Sequence, residues 1–133
     1  MKSTLGDSFV YIFQERVANA GKDRFFKIGF ASHNKTDESI KNWKKYKDKS
    51  IPVTIIRRIA DLQTGNPRRI DVYAVIKFAD KGFARIAESR LHRFLSDKAC
   101  SVPEWFCLSQ KEIEHCIESL KQGDGYIEHE LAV

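Results

Sequence analysis

Ser8-Phe9-Val10-Tyr11-Ile12-Phe13-Gln14 and, after nine residues, Arg24-Phe25-Phe26-Lys27-Ile28-Gly29-Phe30 carry the reading of the fold. Both runs are rich in β-branched and aromatic side chains, which suit a pleated, half-buried surface, so each predicts a strand. The segment between them, Glu15 to Asp23, holds Asn19 and Gly21, and the pair is expected to close as an antiparallel hairpin with a loose loop. Alternation places Phe9, Tyr11 and Phe13 on one face of the first strand. In the second, Phe25, Lys27 and Gly29 share a face, opposite Phe26, Ile28 and Phe30. A tyrosine and a lysine can then be neighbours across the hairpin, depending on register.

Around this hairpin the rest of the chain alternates helix and strand. Ile51, Ile55, Ile59 and Leu62 recur at helical spacing, and Gly65-Asn66-Pro67 stops that helix, since Gly caps a C-terminus and Pro cannot continue. Arg69 to Phe78 alternates as a third strand. Asp80 caps a helix to about Ser96, with Phe83, Ile86, Ala87, Leu91 and Phe94 as its expected buried stripe. Glu104 to Leu108 reads as a short strand. Ser109-Gln110-Lys111-Glu112 is a capping box, opening a helix through Ile113, Ile117 and Leu120 to Gly123. The sum is an α/β (α+β) fold. It has a small, mostly antiparallel sheet of three to four strands flanked by helices, with a helical insertion after the second strand. One domain is expected over residues 1–123, with the insert at about 32–50 and a loosely packed tail at 124–133.

The 133 residues are 42% hydrophobic, enough for one domain with a real core. No run approaches the ~20 apolar residues of a membrane span, and Met1 to Asp7 has no apolar h-region. Three cysteines without a Cys-x-x-Cys pair favour reduced thiols, hence a cytoplasmic setting, over a disulfide framework. A zinc site from Cys107, His115 and Cys116 is disfavoured because adjacent residues on a helix diverge.

The formal charge is +5, concentrated in residues 35–49 and at Arg57, Arg58, Arg68 and Arg69. A polyanionic partner follows, nucleic acid first. In the insert, Lys41, Lys44 and Lys45 interleave with Trp43 and Tyr46. Ammonium groups take phosphates and aromatic faces take unstacked bases. The competing reading is a solvated helix whose Ile40 and Trp43 dock on the domain.

Arg58 falls inside the apolar stripe of its helix, while Arg57 points elsewhere. A guanidinium on a core-facing side is costly unless an anion meets it. Glu88 falls at the edge of the next helix's stripe, with His92 one turn on. Tyr11, Lys27, Arg58 and Glu88 therefore stand out together, contributed by two adjacent strands and two helices.

These motifs resemble the GIY-YIG nuclease superfamily, in its phage and prophage branch related to fungal meiotically up-regulated proteins. Phe9-Val10-Tyr11 stands where GIY does and Lys27-Ile28-Gly29 where YIG does. The run from Arg58 through Gly65-Asn66-Pro67 is similar to that branch's arginine helix and turn. Ala87-Glu88 through His92 and Phe94 is similar to its glutamate helix, and Pro103-Glu104-Trp105-Phe106 to its closing strand. Phe9 and Lys27 depart from the pattern's Gly and Tyr, although lysine stands there in active relatives. The resemblance implies metal-dependent cleavage of a phosphodiester bond. Glu88 would hold one Mg²⁺ or Mn²⁺, Arg58 would neutralise charge on the phosphoryl group, and Tyr11 would position or deprotonate the attacking water. Lys27 or the metal would lower the Tyr11 pKa, and His92 would make a phosphate contact or support the site. Arg57, Asn66, Arg68 and Arg69 join the insert residues as expected nucleic-acid contacts. DNA, single- or double-stranded, is the expected partner, with dimerisation as one route to cutting both strands. The alternatives are a DNA-binding module without catalysis, an RNA-cleaving member, and a protein-interaction factor using the basic insert.

Overall fold

The hairpin forms with Tyr11 opposite Gly29 and Phe13 opposite Lys27. Its strands are β1 (Ser8–Arg16) and β2 (Asp23–Ser32). The computed structural model describes residues 8–16, 23–32, 51, 53–66, 68–100 and 104–132. The basic insert, with Lys41, Trp43, Lys44, Lys45 and Tyr46, lies outside the described residues, as do Ser50 and Pro52. After it come α1 (Val53–Gln63), β3 (Arg69–Phe78), α2 (Lys81–Phe94), β4 (Trp105–Ser109), α3 (Gln110–Lys121) and β5 (Tyr126–Leu131).

The five strands make one sheet in the order β4-β2-β1-β3-β5, with every neighbouring pair antiparallel. Both faces are covered, which is why β1 and β3 read as nearly continuous apolar runs. On one face Val10, Ile12, Phe26 and Ile28 pack with Leu91 of α2 and Ile113 and Ile117 of α3. On the other, Phe9, Tyr11 and Phe13 pack under Ile55, Ile56 and Ile59 of α1, with Ile51 and Leu62 at the margin. Because β1 is central, Val10 to Phe13 are almost wholly buried.

The helix ends follow their local chemistry. The Asp80 carboxylate accepts the Phe83 N–H at 3.0 Å, capping α2. At α3 the Ser109 hydroxyl accepts the Glu112 N–H at 3.2 Å, and Glu112 accepts the Ser109 N–H at 2.9 Å, the reciprocal box read from sequence. Gly65 takes a left-handed φ of 75° just after α1. The Gln63 side chain then ties that end to β3, donating to the Arg68 carbonyl at 2.9 Å and accepting the Ile70 N–H at 2.9 Å.

Two expectations are corrected. Residues from Asp124 are not a loose tail: Tyr126–Leu131 form β5 along the outer edge of β3, raising the sheet from the expected three or four strands to five. The charged, weakly alternating sequence of β5 is that of an exposed edge strand, whose pairing comes from the β3 backbone and not from its own apolar pattern. The α2 stripe also differs. Ala84 and Leu91 are buried, whereas Ile86 and Phe94 are 54% and 74% exposed and Phe83 is at the margin. The small Ala84 lets the helix seat closely, which rotates the larger side chains outward. Among the described residues no helix is long and apolar enough to cross a membrane.

Candidate functional site

Tyr11 is the centre of the site. It is 1% exposed, and its ring stacks on Phe13 with centroids 4.4 Å apart. The ring lies across Gly29 of β2, so closely that a Cβ at Gly29 would collide with the Tyr11 hydroxyl and ring carbons. Glycine is required here for close approach, not for an unusual backbone angle.

From α1, the Arg58 guanidinium reaches over the Tyr11 ring, 5.7 Å from its centroid, within cation–π range. Although Arg58 falls within the apolar stripe by spacing, the residue is exposed. Ile55 and Ile59 fill the stripe, and the long arginine stem carries its charge out to the rim. Among the described residues its contact is Tyr11 and no carboxylate. Arg57 is half-buried on the same helix.

Lys27, on the same face of β2 as Gly29, donates to Glu104 at 2.7 Å, with the lysine side chain only 12% exposed. Glu104 is a residue that the sequence reading missed as a site member, having counted it as the start of the closing strand. It stands just before β4 with a left-handed φ of 72°, a conformation that costs a non-glycine residue on the order of 1 kcal/mol or more. Its carbonyl accepts the Ile28 N–H at 3.0 Å, so β2 holds both ends of this residue. The signal available beforehand was a carboxylate directly after a proline at the mouth of a short strand.

Glu88 and His92 arrive from α2, which packs on the opposite face. They approach the β2 edge just past β4, which pairs with β2 from Asp23 to Lys27 and is followed by the Ile28 N–H bond to Glu104. There His92 Nε2 donates to the Ile28 carbonyl at 2.7 Å, and its ring meets Phe106 edge-on at 5.1 Å. Of the two roles expected for His92, a phosphate contact or support of the site, this bond is of the supporting kind, tethering α2 to the sheet. Glu88 Oε2 lies 3.7 Å from the same nitrogen.

The electrostatics link these groups. Burial pushes the Tyr11 pKa up to about 12; Arg58 opposes this, while Glu104 and Glu88 add to it. The cation that opposes the rise is Arg58, while Lys27 is bonded to Glu104. Burial also raises the Glu88 pKa, with His92, Arg85 and Lys27 opposing and Glu104 adding.

The expected peripheral contacts are paired differently. Arg68 binds Glu15 at 3.1 Å and Arg69 binds Asp71 at 3.4 Å. Asn66 is a turn residue whose Oδ1 accepts the Arg68 N–H at 2.9 Å.

Among the described residues no three His, Cys, Asp or Glu side chains converge as a metal cluster. Among the described residues Glu88 has no lysine or arginine ion pair, its partner being His92 at 3.7 Å, while Glu104 is engaged by Lys27. This donor set fits Mg²⁺, which keeps most of its waters and takes one or two carboxylates with substrate phosphate. It does not fit zinc. Cys116 is buried with its thiol pushed up to about 12, and His115 is exposed.

Fold and site together define a small α+β domain that sets a buried tyrosine of its central strand under an exposed arginine, with a lysine–glutamate pair on the adjacent strand. The chain belongs to the T5orf172 domain family, which matches residues 8–121. No curated protein and no solved structure matches it.

Proposed function

We propose that this chain is a small divalent-metal-dependent endonuclease of the GIY-YIG type, hydrolysing phosphodiester bonds in DNA. The T5orf172 domain, found in phage, prophage and nuclease-related proteins, is consistent with a nuclease-like DNA-binding module. The observation that carries the finer reading is that Arg58 lies over Tyr11, Tyr11 pairs with Gly29 two residues from the Lys27–Glu104 pair, and Glu88 stands beside the His92 bonded to Ile28.

Arg58 presents a planar fork of donors to a phosphate and gains most where charge grows on the phosphoryl oxygens. Tyr11, held neutral by burial, acts as a fixed hydrogen-bonding group that orients the attacking water; with a pKa of about 12 it is a weak base at neutral pH. Lys27 and Glu104 hold each other and set the potential felt by Tyr11 and Glu88. Glu88 would hold the cation, and His92 keeps the Glu88 helix seated on β2. A bound Mg²⁺ or Mn²⁺ would supply Lewis-acid stabilisation of phosphate and leaving-group oxygens.

The test is incubation of the purified protein with supercoiled plasmid, single-stranded DNA and RNA, each with Mg²⁺ or EDTA. Cleavage that needs Mg²⁺ and falls at least 100-fold in Glu88→Gln is expected; no cleavage of any substrate would overturn the proposal. The pairing of Lys27 with Glu104 and the high Tyr11 pKa favour one second reading, a DNA-binding module without catalysis. It predicts DNA affinity that Glu88→Gln leaves unchanged and no metal-dependent product.

A further inference from the structure

On the α1 face of the sheet, next to Lys27, a cavity of about 380 Å³ opens between the end of α1 and the β2–β4 edge. Phe25, Trp105 and Leu62 form its walls, and Asn66, Arg68 and Glu15 its rim. That volume lies in the range of small-ligand sites and is far too small for a helix or a duplex. Phe25 pairs with Cys107 and Lys27 with Trp105, so Phe25 and Trp105 are diagonal neighbours on one face, close enough for aromatic side chains to share a ligand. Both are only half-buried.

The rim is polar but nearly uncharged. Arg68 Nη1 is neutralised by Glu15 at 3.1 Å, which makes the rim a poor seat for a second phosphate. Asn66 Oδ1 accepts the Arg68 backbone N–H, which leaves the Asn66 amide N–H groups as donors. An aromatic slot with hydrogen-bond donors at its lip, one step along β2 from Lys27 and bordered by Leu62 of the helix that carries Arg58, has the chemistry of a base pocket.

We infer that this cavity takes one unstacked nucleobase of the strand whose phosphate Arg58 contacts. The inference rests on the reading above that this face binds a nucleic-acid strand, but not on catalysis. The base lays its π-face on Trp105, and its polar edge meets the Asn66 amide. Stacking of this kind is worth roughly 5- to 150-fold in affinity per base.

The experiment is fluorescence-polarisation binding of the full chain in EDTA, comparing short single-stranded DNA oligomers with fully abasic oligomers of equal length. Base-containing oligomers should bind at least about 5-fold tighter. Trp105→Ala should erase that difference without weakening abasic binding, and Trp105→Phe should keep it. Should Trp105→Ala fail to fold, Asn66→Phe, which plugs the rim, should erase the same difference. Equal affinity for both oligomers, or a Trp105→Ala loss that is the same for both, overturns the base pocket while leaving DNA binding in place. A mononucleotide that competes as strongly as the oligomer assigns the cavity to free nucleotides and overturns the strand-bound base. Absence of binding to either oligomer overturns the pocket and the DNA-binding reading together.

Discussion

Tyr11 and Gly29 form a lock that links two residues of unremarkable appearance. The tyrosine ring occupies the space that any β-carbon at position 29 would need. Gly29→Ala is therefore expected to push the ring off its Arg58 contact and to destabilise the domain by about 1–3 kcal/mol, the range for overpacking. Cleavage should fall to the level of Tyr11→Phe, measured by plasmid nicking beside a thermal melt. Glu88 illustrates a conflict between site and stability. Burial raises its pKa, so the folded state binds its proton more tightly than the unfolded state. Stability attributable to this group is thus present below the ordinary glutamate range and is lost as pH rises through the raised value. Glu88→Gln should then melt higher than the parent protein at pH 7 and by a smaller margin near pH 4. In the proposed mechanism the cation is held by the carboxylate, so activity should fall on acidification at a pH above the usual glutamate range, read from a pH–rate profile. Arg58 was legible as an anomaly because an arginine sat among isoleucines; that it would leave the stripe and cover Tyr11 depended on where the α1 axis lies over β1.

Helix ends were the most legible elements, because each is decided by side chains within three or four residues of the backbone groups they satisfy. The α3 capping box is the clearest case, and Ser109→Ala is expected to cost about 1 kcal/mol, seen as a fall of a few degrees in Tm with cleavage unchanged. Backbone hydrogen bonding at Ser109, then Lys98, lowers the Glu112 pKa. The Glu112 half of the box is accordingly present above the ordinary glutamate pKa and lost as pH falls through the lowered value, so Glu112→Gln should lower Tm at neutral pH and by less on acidification. β5 was illegible for the opposite reason. Tyr126–Leu131 carries two glutamates and a histidine among few apolar residues, and only the open β3 edge makes it a strand. The α2 stripe failed similarly: helical spacing allowed Phe83, Ile86 and Phe94 as a face, but the sheet accepted the side bearing Ala84 and Leu91.

Across the molecule, among the described residues, Arg68 and Arg69 are paired with carboxylates, whereas Arg58 and Arg85 lie over aromatic rings, those of Tyr11 and Phe30. Arg68 and Arg69 carry internal ion pairs, so charge counting overstates what β3 offers to phosphate. Binding of single-stranded DNA should weaken with salt, log affinity falling linearly with log salt, and Arg58→Ala should reduce that slope by about one. Arg69→Ala, which removes a paired cation, should change the slope far less. A titration of polarisation against salt at several concentrations separates the two.

The order and type of the main elements were written into short-range patterns: alternation in β1, β2 and β3, helical spacing in α1 and α3, and the caps at Asp80 and Ser109. So was the identity of four groups with chemistry to offer, since an arginine in an apolar stripe or a lysine on a buried strand needs explaining wherever it falls. Their relations to each other were not. The tyrosine over Gly29, the left-handed Glu104 binding Lys27, and the bond from His92 to the Ile28 carbonyl all join residues 18 to 77 positions apart. Such contacts depend on strand register and on where β4 ends, which no local pattern encodes.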